Sequence, residues 1–171
     1  MEIRIREASA SDALILAALA GATFYEAYVE TDDPQDLAEY VTTKFSAEAT
    51  ERELDDPAGT FLIGEADGKA VGYARFLRGK SPEFLSGVRS AEIQRIYLLS
   101  KFGRKGIGSA LIDECLRRAE FEGYEAVFLG VWKENLPAKA FYESRGFKVA
   151  GEIEFSYGKS TFTNEVMVRP I

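Results

Sequence analysis

Between Glu2 and Glu7, apolar Ile3 and Ile5 alternate with charged Glu2, Arg4 and Arg6, the two-residue period of a strand. The period then lengthens. Ser9-Ala-Ser11-Asp12 offers caps for a helix whose apolar face takes Leu14, Leu16, Ala17, Leu19 and Phe24. Phe24, Tyr25 and Tyr28 near its end are expected to pack inward, or to line a pocket. Pro34 suits the first turn of a second helix with Leu37, Tyr40, Val41 and Phe45 on its inner face. Ser46 to Leu54 reads as a short third helix, stopped by Asp55-Asp56-Pro57. Residues 60–66 and 70–77 are strand-like and joined by Asp67-Gly68, a strong hairpin signal. Residues 78–90, with Gly79, Ser81-Pro82, Ser86 and Gly87, form a loop or lid.

The stretch from Glu92 to Gly123 organises the rest. Ile93, Ile96, Tyr97, Leu98 and Leu99 carry the bulk of a strand, which Gly103, Gly106 and Gly108 break. From Ile107 the apolar positions (Ala110, Leu111, Cys115, Leu116, Ala119) fall at helical steps, with Asp113, Glu114, Arg117 and Arg118 between them and Gly123 as a cap. Such a turn leaves N–H groups unpaired at the positive end of the helix macrodipole. That suits phosphate or pyrophosphate, with Arg104 and Lys105 adding charge; an ordinary strand-to-helix turn would use its glycines equally well. Ala126 to Val131 is a continuous apolar run, as in a strand buried on both faces. Asn135 can cap a further helix with Pro137 in its first turn and Gly146 at its end. Residues 147–155 and 161–168 pair across 156–160 as a closing hairpin. The order is β, helices, ββ, then β-α-β-α-ββ: one α/β domain over 1–171, a mixed sheet with helices on both faces.

With 171 residues, 46% hydrophobic and 29% charged, the chain has the composition of a soluble globular domain. No apolar run approaches the roughly 20 residues of a membrane span, and the alternating N-terminus is unlike a signal peptide. One cysteine fits a reducing compartment, so a cytoplasmic protein with no membrane partner is expected. Histidine is absent, which removes Ser-His-Asp and Cys-His catalysis and histidine metal sites. Zinc would be left with Cys115 and carboxylates, so no metal is expected, and acid–base work falls to Glu, Asp, Tyr, Lys or Cys115. Cys115 lies on the apolar stripe and reads as an inert core thiol. The net charge of −7 is unevenly placed: residues 26–56 hold eleven acids against Lys44 and Arg52, a balance of −9, which leaves +2 elsewhere. That field disfavours nucleic acid and favours a cationic small molecule, although solvated helix faces would leave the same pattern.

Neither G-x-x-x-x-G-K-[ST] nor G-x-G-x-x-G occurs. The glycine loop that follows the strand, Gly103-Arg-Lys-Gly106-Ile-Gly108, resembles the [Q/R]-x-x-G-x-[G/A] pyrophosphate loop of the GNAT acetyltransferases. The likeness extends from Ala91 to Phe147, most specifically through Leu136-Pro-Ala-Lys-Ala-Phe-Tyr-Glu-Ser-Arg-Gly-Phe147, and the element order matches over the whole chain. It implies a single-domain GNAT fold, a mixed and mostly antiparallel sheet of about six to seven strands with helices on both faces. It also implies acetyl-CoA as co-substrate, its pantetheine arm bonded by the backbone of Ile96, Tyr97 and Leu98. Arg104, Lys105, Gly106, Ile107, Gly108 and Ser109 would hold the pyrophosphate, and Asn135 would touch the cofactor. Tyr142 falls seven residues later, where the family places the tyrosine that protonates the departing CoA thiolate.

Glu92, six residues before Leu98, matches the general base of the histone-type branch, acting directly or through water. The ribosomal-protein N-terminal branch carries its glutamate where this chain has Gly130, so that mechanism is not implied. The family's Gln/Arg position falls on Gly103, which moves that cation to Arg104. A gap between strands near residues 96–98 and 131 would admit the thioester and offer backbone N–H groups to its oxygen. Gln94-Arg-Ile-Tyr-Leu98 and the run from Gly158 to Pro170 resemble the PaiA-like branch, which acetylates polyamines and usually has aspartate near Asn164. With the acidic segment, the expectation is an N-acetyltransferase for a small cationic amine such as spermidine or spermine, a homodimer being left open. The alternatives are an aminoglycoside, an amino-acid-type amine or a protein N-terminus as acceptor, or a non-catalytic acyl-CoA-binding module.

Overall fold

The computed structural model describes residues 1–79 and 81–171; Lys80, in the loop expected over 78–90, lies outside them. The elements run β1 (Ile3–Glu7), α1 (Ala13–Tyr28), α2 (Pro34–Lys44), α3 (Ala47–Leu54), β2 (Gly59–Ala66), β3 (Lys69–Leu77) and β4 (Ser90–Leu98). There follow α4 (Ile107–Phe121), β5 (Ala126–Trp132), α5 (Leu136–Ser144), β6 (Lys148–Tyr157) and β7 (Ser160–Pro170). The strands form one sheet in the order β1-β2-β3-β4-β5-β7-β6, antiparallel throughout except between β4 and β5. At the β2–β3 hairpin Asp67 (φ 49°) and Gly68 (φ 73°) both take the left-handed conformation that a tight two-residue turn requires.

Each face of the sheet carries its own core. On one, Leu16, Leu19, Phe24, Leu37 and Phe45 of the first helices and their flanks pack against Phe61, Ile63 and Tyr73. On the other, Ile107, Leu111, Ile112 and Cys115 of α4 pack against Leu62, Ala74, Phe76, Ile93 and Leu129. Neighbouring residues of β2 and β3 therefore serve opposite cores, which is why both strands read as apolar runs. Each fully buried Leu, Ile or Phe side chain contributes about 1.5–3 kcal/mol. Burial also pushes the Cys115 thiol up to about 12. Iodoacetamide should therefore leave the folded protein unlabelled at neutral pH and modify Cys115 rapidly in denaturant; fast native-state labelling, read by mass spectrometry, would contradict this burial.

Two expected inward residues face out. Leu14 is 73% exposed and Tyr25 is 41% exposed. The buried stripe of α1 runs Leu16, Leu19, Ala20, Thr23, Phe24, and residues 14 and 25 lie half a turn away from it. Because α1 is apolar nearly all round, its periodicity does not select the inner stripe. The segment before it is tied by charge. Arg6 donates to both carboxylate oxygens of Asp12, at 2.8 and 2.9 Å, and to Glu65 at 2.7 Å. The Arg6 guanidinium holds the Asp12 carboxyl well below the usual carboxylate range, and Asp12 also accepts the Ser9 N–H at 2.8 Å.

Candidate active site

The sheet opens at its centre. The parallel pairing of β4 with β5 covers only Ser90↔Ala126, Ala91↔Val127 and Glu92↔Phe128. Past that point β4 continues on β3 as far as Leu98, and β5 continues on β7 as far as Trp132, so their facing edges do not bond to each other. The β3–β4 register shifts between Arg75 and Phe76, leaving Gln94 as an extra residue in β4. Such a bulge bends its strand. The gap expected near residues 96–98 and 131 is present, and its rims carry backbone groups in need of partners.

The glycine loop lies at the end of β4. Arg104 (φ 59°) and Gly106 (φ 88°) are left-handed, and the first helical bond of α4 runs from Ala110 N–H to the Gly106 carbonyl at 2.9 Å. The N–H groups of Ile107, Gly108 and Ser109 thus precede the helical ladder. Ile107 is fully buried and pins the helix start, while Arg104, Lys105 and Gly106 are exposed. Lys101 and Lys105 both sit over the Phe102 ring, at 5.2 and 5.1 Å. Lys101 is a cation that the motif alone does not specify. Gly108 allows Leu98 to approach: a Cβ at 108 would lie 3.2 Å from the Leu98 Cδ1. Strand end and helix start are thereby held together.

Glu92 and Tyr142 come from opposite faces of the sheet. Glu92 is the last β4 residue paired with β5, and its pairing with Leu77 puts it on the face covered by α1 to α3. Tyr142 comes from α5 on the α4 side, 8% exposed, its ring 5.4 Å from Phe141 and 6.1 Å from Phe147. Asn135 begins that helix, its Oδ1 accepting the Ala138 N–H at 3.2 Å, which leaves the amide nitrogen outside the cap. Lys139 pairs with Glu165 and ties α5 to β7. Burial, and then the nearby Tyr28, pushes the Tyr142 phenol well above its ordinary value. Tyr28 belongs to the other face.

The acidic segment is less free than its sequence implies. Asp36, Glu39, Glu53 and Asp56 surround a cavity of about 580 Å³ between α2, α3 and the β6–β7 turn, but Lys44, Arg52 and Arg75 line it too. Arg75 and Arg95 stand opposite each other on β3 and β4, a repulsive pairing unless anions intervene. Glu53 accepts from Arg95 at 2.6 and 2.7 Å and lies 3.7 Å from Arg75, while Asp56 accepts from Arg75 at 3.1 Å. Burial works against the charged Glu53, yet Arg95, Arg75 and Lys44 hold its carboxyl below its ordinary value. Lys44 and Arg52 are the cations within residues 26–56, but two arginines from distant strands, Arg75 and Arg95, also neutralise part of the wall. Alternation could place Arg75 and Arg95 on strands, but the pairing that brings them together is a tertiary fact. Asp36 and Glu39 remain on the cavity rim, where Asp36 accepts the Lys159 N–H at 3.0 Å. Among the described residues no group of three or more Cys, Asp or Glu is placed to hold a metal ion, and no helix is long and apolar enough to cross a membrane.

A seven-stranded mixed sheet opened between its parallel strands, with a glycine-started helix at one end of the opening, defines an acyltransferase of the GNAT class. Residues 22–147 match the Acetyltransferase (GNAT) family, and the chain belongs to that family: it is an N-acetyltransferase with acetyl-CoA as its co-substrate. An uncharacterized N-acetyltransferase of Mycobacterium tuberculosis is 34% identical over 161 residues, covering 94% of this chain and 99% of that one. Another from Lactobacillus delbrueckii is 25% identical over 99% of this chain and 98% of its own. Among solved structures, a PaiA N-acetyltransferase from Thermoplasma acidophilum in complex with coenzyme A superposes with a TM-score of 0.79 at 24% identity, covering all of both chains. A GCN5-related N-acetyltransferase from Rhodopseudomonas palustris gives 0.77 at 18% identity, over 100% of this chain and 97% of that one. At these identities the likeness to solved structures is one of fold.

Proposed function

We propose that the protein transfers the acetyl group of acetyl-CoA directly to a primary amine of a small cationic acceptor, a polyamine such as spermidine or spermine. The observation that carries the reading is the central opening, with Glu92 on one face and Tyr142 on the other. The backbone rim at Ile96, Tyr97 and Leu98 binds the pantetheine arm. Arg104, Lys105, Gly106, Ile107, Gly108 and Ser109 bind the pyrophosphate through N–H groups, the helix dipole and side-chain charge. The amide nitrogen of Asn135, outside the helix cap, contacts the same ligand.

In the reaction the amine nitrogen attacks the thioester carbonyl carbon, the C–N bond forms, and the C–S bond breaks. Glu92, directly or through water, accepts the proton that the amine must lose. Tyr142 donates its hydroxyl hydrogen to the sulfur as charge develops there. In bulk water a phenol is a weaker acid than a thiol, so full transfer to a solvated thiolate would be uphill. Inside the opening the thiolate is desolvated as the phenol is, and both affinities for the proton rise together.

The acceptor assignment draws on Asp36 and Glu39 at the cavity rim and on the name of the Thermoplasma relative. One buried cysteine agrees with a reducing, cytoplasmic setting. Release of free CoA thiol, measured against spermidine, spermine, lysine, an aminoglycoside and an N-terminal peptide, tests it. Turnover of the polyamines above the others is the expected result. Turnover of the peptide alone would move the protein to a protein-modifying role and leave the acidic rim as a solvated surface.

A further inference from the structure

The bulge divides β4 into two phases. Ala91 and Ile93 belong to the α4 core, and so do Ile96 and Leu98, which strict alternation from Ile93 would send to the opposite face. Gln94 and Arg95 therefore stand side by side on the face covered by α1 to α3, across from Arg75 of β3. Glu92, on the same face, is the last β4 residue paired with β5. The bend in β4 thus falls where the sheet opens.

One buried side chain holds both bulge residues. Arg75 is 4% exposed. Its Nη1 donates to the Gln94 Oε1 at 2.6 Å, and its Nη2 to Asp56 at 3.1 Å. Glu53, 3.7 Å from Arg75, accepts both guanidinium bonds of Arg95, so the second bulge residue is tied to the same cation through a shared carboxylate. Arg75 has no partner to spare, because its Nε is buried without a hydrogen-bond partner among the described residues. Without Gln94 its Nη1 would face Glu53 at 3.7 Å, beyond hydrogen-bond distance. Stranding a buried charged donor is unfavourable, so the bond to Gln94 resists breaking. Gln94 itself is exposed, and little packing fixes it.

We propose that Arg75 is a positioning residue of the acetyltransferase. Through Gln94 it latches the bulge, and so sets how the backbone rim from Ile96 to Leu98 lies relative to Glu92. The inference rests on the reading of the opening as the place of reaction. Burial alone does not fix this geometry. It requires one extra residue between Ile93 and Ile96, since a slip of one place would turn Arg95 and Tyr97 into the α4 core. It does not set the angle at which the strand bends there. The Arg75–Gln94 bond supplies that constraint.

The test uses Gln94→Leu and Gln94→Glu, which alter the latch from its exposed end and leave Arg75 in place. Amide exchange over residues 92–98, read by mass spectrometry, reports the bulge. Calorimetric acetyl-CoA binding and kcat, with whichever of spermidine, lysine and an aminoglycoside the wild type accepts, report function. In Gln94→Leu the exchange should quicken, acetyl-CoA should bind about threefold more weakly, and kcat should fall about fivefold or more by one factor for every amine. Gln94→Glu keeps a charge-assisted bond to Arg75 and should recover at least half of the wild-type kcat. Thermal melting checks that each variant is folded. A kcat loss confined to one amine would overturn the proposal and make Gln94 an acceptor contact. Unchanged exchange with unchanged kinetics would reduce Arg75 to a buried ion-pair member. Faster exchange with unchanged binding and kcat would leave the latch standing and overturn the reading of the opening itself.

Discussion

Tyr142→Phe should lower kcat about 100-fold, or about 2.7 kcal/mol of barrier, while leaving the affinity for CoA within twofold. The substitution removes one oxygen and keeps the ring that packs between Phe141 and Phe147, so α5 and its cap at Asn135 stay in place. The loss is then one of proton donation. It should be the same for every accepted amine, because the thiolate is common to all of them. Steady-state kinetics beside calorimetric CoA binding check both halves. A kcat within threefold of wild type would hand the proton to water and reduce Tyr142 to a packing residue.

Gly72→Val should weaken acetyl-CoA binding from a position that touches no ligand. A Cβ at residue 72 would lie 2.7 Å from the Tyr97 carbonyl oxygen and would collide with the Leu98 side chain. Backbone cannot yield as a flexible side chain can, so the end of β4 must move. The strain costs about 1–3 kcal/mol of stability. The displaced residues are those proposed to bind the pantetheine arm, so the KM for acetyl-CoA should rise at least tenfold. Gly130→Ala is the control: its added carbon would meet only Asn164 and Ile153, at 3.8 and 3.9 Å, and stability should change by no more than about 0.5 kcal/mol. Equal effects in the two variants would mean that glycine was needed for strand entropy rather than for close approach.

Much of this architecture could be read in advance because local chemistry and tertiary structure agree. The Asp67-Gly68 turn, the proline that starts α2, and the glycine that starts α4 each announce themselves within a few residues. The organising strand and helix were legible because the period changes at one point, Ile107. Three things were not. The inner stripe of α1 was hidden by its near-uniform hydrophobicity. The neutralising role of Arg75 and Arg95 depends on the pairing of β3 with β4, which brings Glu53 within reach of residues 22 and 42 positions away. Asp32 looked like one more acid in an acidic run, and what sets it apart from Asp33 is that its buried Oδ2 has no hydrogen-bond partner among the described residues.

The short parallel contact between β4 and β5 has a mechanical meaning as well. It leaves the sheet as two antiparallel blocks, β1 to β4 and β5-β7-β6, spliced over three residue pairs. An acetyl-CoA arm laid along the open edge of β4, as proposed above, would act as a splint across that splice. The co-substrate would then be a structural member, coupling the two blocks most tightly when the molecule is loaded for chemistry.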